Sequence, residues 1–303
     1  MTPSYLVSSL SSLGYVLYDE ERKDFSTHPK RGTVSFRKES ILVGDEVVLD
    51  DRGEIDAVLP RRSLLKRPRL SNADLVLVLV SAKEPEFSSY LLDKFLSLVT
   101  FSSLPAAIGL TKSDLLSPKE RMVLKERMAE YEKIGFPVFF LSSVRKKDDL
   151  PILLPLLRGK KTALMGQTGV GKSTLLNRID PDFLRKVDER GNLYGRGRHT
   201  TKEVILLPYL DGFLYDTPGF SELVLEEMKP VDLANSFPGY RKYFPACKFN
   251  DCLHGESTKG CAVLEAVKSG LLSLDSYRNY LKIMEEVKEN DVWKKKLKSG
   301  RPF

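Results

Sequence analysis

The chain has 303 residues, 42% of them hydrophobic and 29% charged, a composition that excludes wholesale disorder and is long enough for two or three domains. Its longest uninterrupted apolar run, residues 75–80, is far too short to cross a bilayer, and residues 1–21 lack the basic start and apolar core of a secretory signal. A cytoplasmic protein with no membrane partner is therefore expected. The net charge of +7 is modest but clustered: Arg61, Arg62, Lys66, Arg67 and Arg69 stand together, as do Lys294, Lys295, Lys296, Lys298 and Arg301. Surfaces that bind a polyanion and plain solvated basic faces account for them equally well.

The first thirty residues offer little pattern. Residues 32–60 carry short β-rich runs, and VGDEVVLD and GEIDAVL flank the turn DDRG as the arms of a hairpin, which fits a small antiparallel barrel. The basic stretch RRSLLKRPRLS, with Pro68 inside it, reads as an interdomain connector.

From residue 73 apolar runs recur, each ending in a polar loop: ADLVLVLVSA, PAAIGLTKSD, PVFFLSS, KTALMGQTG, EVILLPY and GFLYDTPG. Helical patterns such as SPKERMVLKERMAEYEKIG and GKSTLLNRI lie between them. Nearly continuous Val, Leu, Ile and Phe alternating with helices predict a mostly parallel sheet covered on both faces, with functional loops at the C-terminal ends of its strands. From about residue 226 the pattern turns helical around a Cys/His knot, through LEAVKSG and LDSYRNYLKIMEEVKEND to a basic tail.

GQTGVGKST, residues 166–174, is a complete phosphate-loop pattern between a predicted strand and a predicted helix. Gly166, Gly169 and Gly171 let the main chain of Gly166, Gln167, Thr168, Gly169, Val170 and Gly171 wrap phosphate oxygens, and the helix N-terminus favours their charge. Lys172 is expected on the β and γ phosphates, Ser173 on Mg²⁺, and Thr174 beside them. Asp216-Thr217-Pro218-Gly219 follows a predicted strand, so Asp216 is expected to hold Mg²⁺ through water and Gly219 to meet the γ-phosphate. Thr111-Lys112-Ser113-Asp114 reads guanine: Asp114 can accept two hydrogen bonds from the base, Lys112 packs its stem nearby, and adenine offers no matching donors. Ser142 and Ser143, after PVFFL, stand where a main-chain N–H meets the guanine oxygen. The guanine motif precedes the phosphate loop, an order that a parallel sheet tolerates because all these loops lie on one edge.

After the Gly219 motif stands Phe220, which cannot orient water, so hydrolysis needs another group. GRGRHTTKE, residues 195–203, lies where a first switch should, making His199 the candidate to position water and Thr200 or Thr201 the candidate to complete the Mg²⁺ shell. Arg196 and Arg198 could meet phosphates or RNA. All three cysteines, Cys247, Cys252 and Cys261, gather with His254 in a spacing suited to a closed structural Zn²⁺ site.

The guanine motif ahead of the phosphate loop, HTT, DTPGF, LPRRSLLKRP and CKFNDCLHGESTKGCAV together resemble the RsgA (YjeQ) family of circularly permuted GTPases. The loop between His254 and Cys261 is one residue longer than is usual there. The resemblance implies an N-terminal OB-fold barrel with its basic linker (1–67), a central P-loop GTPase (68–225) and a C-terminal helical zinc domain (226–303). It further implies a monomeric GTP hydrolase, cycling between GTP and GDP, that binds the small ribosomal subunit and its rRNA. Turnover would be stimulated by the subunit and would depend on His199. The alternative is an RNA-binding module for which GTP is mainly a bound ligand.

Overall fold

The structure, a computed structural model, describes residues 4–10, 14–29, 40–142, 144, 148–181, 204–217, 223, 225 and 227–299. It begins with five strands: β1 (Ser4–Leu10), β2 (Tyr15–Asp19), β3 (Asp24–His28), β4 (Glu46–Leu49) and β5 (Ile55–Val58). They form one antiparallel sheet in the order β3-β2-β1-β4-β5 around Val7, Leu17, Ile41, Val47 and Ile55, the five-stranded unit expected of an OB-type domain. The hairpin expected around DDRG is β4–β5. Three of the strands lie in the first thirty residues, where the sequence gives no clear alternation.

Residues 61–71 are not a loose connector. They form a second hairpin, β6 (Leu64–Lys66) and β7 (Arg69–Ser71), with Leu65 and Leu70 fully buried. The basic side chains of this stretch are largely engaged internally. Arg61 binds Asp45 at 2.7 and 2.8 Å, Arg62 approaches Glu46 and Asp74, and Lys66 pairs with Glu227 while lying over the Phe101 ring.

The central sheet comprises β8 (Leu75–Ser81), β9 (Ala106–Thr111), β10 (Val138–Phe140), β11 (Lys161–Gly166), β12 (Ile205–Tyr209) and β13 (Gly212–Asp216), in the order β10-β9-β8-β11-β13-β12. Every neighbouring pair is parallel except β12–β13. Residues of β8 divide between two cores by alternation: Val76, Val78 and Val80 face one, Leu75, Leu77 and Leu79 the other. A strand buried on both faces reads as a continuous apolar run for that reason. One face is covered by α1 (Ser89–Phe101) and α2 (Pro118–Lys133), the other by α3 (Leu150–Leu157) and α4 (Lys172–Ile179). Ser117 opens α2 with a reciprocal capping box, its hydroxyl accepting from the Glu120 N–H and Glu120 accepting from the Ser117 N–H.

The C-terminal part holds α5 (Pro230–Ser236), α6 (Ala262–Lys268) and the 26-residue α7 (Leu274–Ser299), which carries the helical pattern on into the basic tail. It docks on α1 through Asp93, a carboxyl with no solvent exposure that accepts from Tyr131 Oη at 2.8 Å, Asn279 Nδ2 at 2.7 Å and Ser276 Oγ at 3.2 Å. Lys94 and Glu286 add an ion pair at 2.5 Å. Among the described residues no helix is long and apolar enough to cross a membrane.

Candidate guanine-nucleotide site and metal centre

Strands β9, β10, β11 and β13 run in the same direction, so the loops after them open on one edge of the sheet. That edge carries TKSD, Ser142, the phosphate loop and Asp216, which lie apart in the chain. Direct bonds join them. Thr111 Oγ1 donates to the Val170 carbonyl in the phosphate loop and lies 3.3 Å from the Val80 carbonyl. A side-chain hydroxyl of the guanine motif thus braces the phosphate loop. The Ser113 N–H donates to the Leu141 carbonyl at 3.0 Å, tying the same motif to the end of β10.

Within the phosphate loop, Gly166 has no room for a side chain, since a Cβ would stand 2.5 Å from the Leu79 carbonyl. Gly171 has a φ of +95°, a left-handed conformation that starts α4 directly after the turn. Thr168 and Gly169 form its exposed tip, with Gln167 accepting from the Val170 N–H at 3.3 Å. Lys172 Nζ lies 3.4 Å from the Gly166 carbonyl; burial pushes its ammonium down to about 8, against the attraction of Asp216. An anionic ligand would restore its charge. Ser173 and Thr174 are exposed on the first turn of α4, and Asp216 ends β13.

Asp114 Oδ1 is buried and has no hydrogen-bond partner among the described residues. A buried polar atom left open in this way is costly unless a ligand completes it. Lys112, in a left-handed conformation at φ 55°, reaches the Glu84 carbonyl with Nζ. Thr111, Lys112, Leu141, Ser142, Gly171, Thr174, Leu175 and Arg178 enclose a cleft of about 60 Å³. Here the structure departs from the sequence expectation at Ser142, whose N–H does not face outward but donates to Asp148 Oδ2 at 2.8 Å. Asp148 and Arg178, which bridges Ser142 and Asp148, escaped the sequence reading. Ser143, His199, Thr200, Thr201 and Gly219 lie outside the described residues.

The second centre is in the C-terminal part. The ligand atoms of Cys247, Cys252, His254 and Cys261 all lie within 4.8 Å of one another, with His254 Nδ1 3.3 Å from Cys261 Sγ and 3.8 Å from Cys247 Sγ. Around a tetrahedral ion with bonds of about 2.0–2.3 Å, neighbouring donors stand roughly 3.5 Å apart, so this donor set fits zinc. Burial pushes the Cys261 thiol up to about 12, raises Cys252 in the same way, and lowers His254 to about 4. A divalent cation would reverse the penalty on the thiolates. Helix α7 holds the knot, Tyr277 donating to the His254 carbonyl at 2.8 Å and Tyr280 to the Leu253 carbonyl at 2.7 Å.

With this geometry established, comparison with known proteins is decisive. The family model described as RsgA GTPase matches residues 58–226. The chain belongs to the RsgA GTPase family. Its relatives include the small ribosomal subunit biogenesis GTPase RsgA of Shouchella clausii (strain KSM-K16), 39% identical over 86% of this chain and 89% of the relative. The protein of the same name from Bacillus subtilis (strain 168) is 37% identical over 95% of this chain and 98% of its own. Two solved structures superpose with a TM-score of 0.77. One is YloQ, described as a circularly permuted GTPase, at 32% identity over 95% of this chain and 96% of that one. The other is YjeQ from Thermotoga maritima, at 31% identity over 94% and 98%. Membership of the RsgA family makes the chain a GTP hydrolase, and the reversed order of its nucleotide motifs is that of a circularly permuted GTPase.

Proposed function

We propose that this protein is a monomeric cytoplasmic GTPase that binds the small ribosomal subunit through its rRNA and assists its late maturation, hydrolysing GTP to GDP and phosphate. The observation that carries the reading is the junction of the two nucleotide motifs. Thr111 braces the phosphate loop at Val170, and Asp114 presents a buried, unpartnered oxygen beside it. That combination suits a guanine base next to a polyphosphate, in a chain whose relatives are named for small-subunit biogenesis.

In this reading Gly166 to Gly171 wrap the phosphates with main-chain N–H groups, Lys172 neutralises the β and γ oxygens, and Asp114 takes the N–H edge of the base. Ser173 and Asp216, with Thr200 or Thr201, would hold Mg²⁺, which supplies charge neutralisation between the β and γ phosphates when bound. His199 would position water, a role read from its loop and carried by the family resemblance, and Gly219 would meet the γ-phosphate, a role read from the DTPG motif. Cys247, Cys252, His254 and Cys261 would hold one structural Zn²⁺. Because Arg61, Arg62 and Lys66 are paired with acids, we assign contact with rRNA phosphates to the Lys-rich C-terminal sequence from residue 294 onward on its charge alone.

Steady-state GTP turnover measured with and without purified small subunits tests the proposal. Stimulation that is lost in His199→Ala, with GTP binding retained, is the expected result. A rate that small subunits leave flat would favour an RNA-binding module for which GTP is only a ligand.

A further inference from the structure

We propose that Arg178, locked in place by Asp148, is a specificity-determining residue of the guanine site, acting on the carbonyl edge of the base. The inference rests on the guanine reading above and adds a second, independent determinant to Asp114.

Asp148 is the residue to explain. Its side chain is only 2% exposed, yet it is a carboxylate with both oxygens engaged. Oδ2 accepts from the Ser142 N–H at 2.8 Å and from Arg178 Nη1 at 2.5 Å; Oδ1 accepts from the Leu150 N–H at 3.2 Å and lies 3.4 Å from Arg178 Nη2. Arg178 Nη1 also donates to the Ser142 carbonyl. Ser142 is thus gripped at both main-chain polar groups by one ion pair. Taking the Asp148 carboxylate out of water is costly before the attraction of Arg178 is counted, and a fixed geometry is the best-attested return for that cost.

The pair is also placed to matter. Arg178 is on α4, the helix that begins at Lys172, about 9 Å further along it at 1.5 Å per residue. Ser142 follows Leu141, whose carbonyl holds the Ser113 N–H one residue before Asp114. Arg178 therefore connects the phosphate-binding helix to the strand end beside the guanine motif, and it lines the cleft with Thr111, Lys112, Ser142 and Thr174. With Asp114 on the N–H edge, the base carbonyl lies towards Ser142. The Ser142 N–H is already given to Asp148, so of the two serines expected at that oxygen Ser142 does not serve it, and Ser143 lies outside the described residues. A guanidinium has five N–H donors, and the Arg178 contacts above leave Nε–H and one Nη2–H without an acceptor among the described residues. These are the donors we assign to the carbonyl edge.

The test uses the intact chain in magnesium buffer and equilibrium binding of four diphosphates: GDP, 6-thio-GDP, IDP and ADP. Sulfur at position 6 weakens the acceptor at the carbonyl edge; IDP keeps that oxygen and lacks the amine that Asp114 reads. Arg178→Met and Asp148→Asn are each expected to weaken GDP binding about 10-fold, or about 1.4 kcal/mol. Both should collapse the preference for GDP over 6-thio-GDP while leaving the preference over IDP intact. Arg178→Lys, which keeps a cationic donor, should recover part of the 6-thio discrimination. An unchanged GDP to 6-thio-GDP ratio in both variants overturns the inference. So does an equal loss of every preference with a lowered thermal midpoint, since that marks a pair that only holds the fold. Wild-type protein that binds GDP and ADP equally would instead remove the guanine reading, whatever Arg178 does.

Discussion

Asp93 is a buried carboxyl and Asp114 a half-buried one with a buried Oδ1, and their surroundings give them opposite uses. Asp114 keeps an oxygen open, whereas Asp93 is saturated by Tyr131, Ser276 and Asn279. Hydrogen bonds to a charged group contribute about 1.5–3 kcal/mol each, so Asp114→Ala should cut the preference for GTP over ATP by roughly 100-fold or more in competition binding. An unaltered preference would refute the base assignment. For Asp93, burial lifts the carboxyl to about 7 from an ordinary 3.8, despite its three donors and nearby Arg127. The folded chain therefore holds a proton between those limits that the unfolded chain releases. This contribution to stability is complete below about pH 4, declines as pH rises, and is gone above about pH 7. Thermal midpoints recorded from pH 5.5 to 7.5 should fall less steeply in Asp93→Asn than in the wild type. The phosphate loop and TKSD were legible in the sequence because their chemistry is local, with fixed spacings over a few residues. Asp93–Asn279 and Asp148–Arg178 were not, because partners 186 and 30 residues apart leave no periodic trace.

The strands of the central sheet were equally legible, since a strand covered on both faces must be apolar throughout, as β8 is. The second hairpin was hidden for the opposite reason. Its strands β6 and β7 are three residues long, too short to show alternation, and their arginines and lysines masked Leu65 and Leu70. Those two leucines belong to the same core as Val76, Phe95 and Tyr215. Leu65→Ala or Leu70→Ala should cost about 2–5 kcal/mol, measurable by denaturant unfolding. A connector would lose almost nothing. Helix α7 serves two neighbours at once, Tyr277 and Tyr280 holding the Cys/His loop while Ser276 and Asn279 reach Asp93.

Across the whole molecule, that double attachment links the Cys/His cluster to the nucleotide-binding part. Elemental analysis of protein purified under reducing conditions should find one zinc per chain. Stripping it should lower the thermal midpoint and loosen amide protection along α7, and no zinc at all would remove the assignment. Binding to small subunits should weaken steeply between 50 and 200 mM salt, as expected when basic side chains displace counterions from phosphates. Truncation after Asp291 should reduce that slope more than substitution of Arg62, which is already paired with Glu46 and Asp74.

Asp216 sits between two tethered neighbours. Tyr215 Oη is fastened to the Ser71 carbonyl at 2.6 Å, on the hairpin next to the N-terminal sheet, and Thr217 Oγ1 is fastened to the Leu164 carbonyl in β11. With one anchor on either side, this aspartate is held at the end of β13. The position of this carboxylate is thereby set from the N-terminal hairpin as well as from the central sheet, so a substitution at Ser71 or Tyr215 reaches the nucleotide edge without touching it.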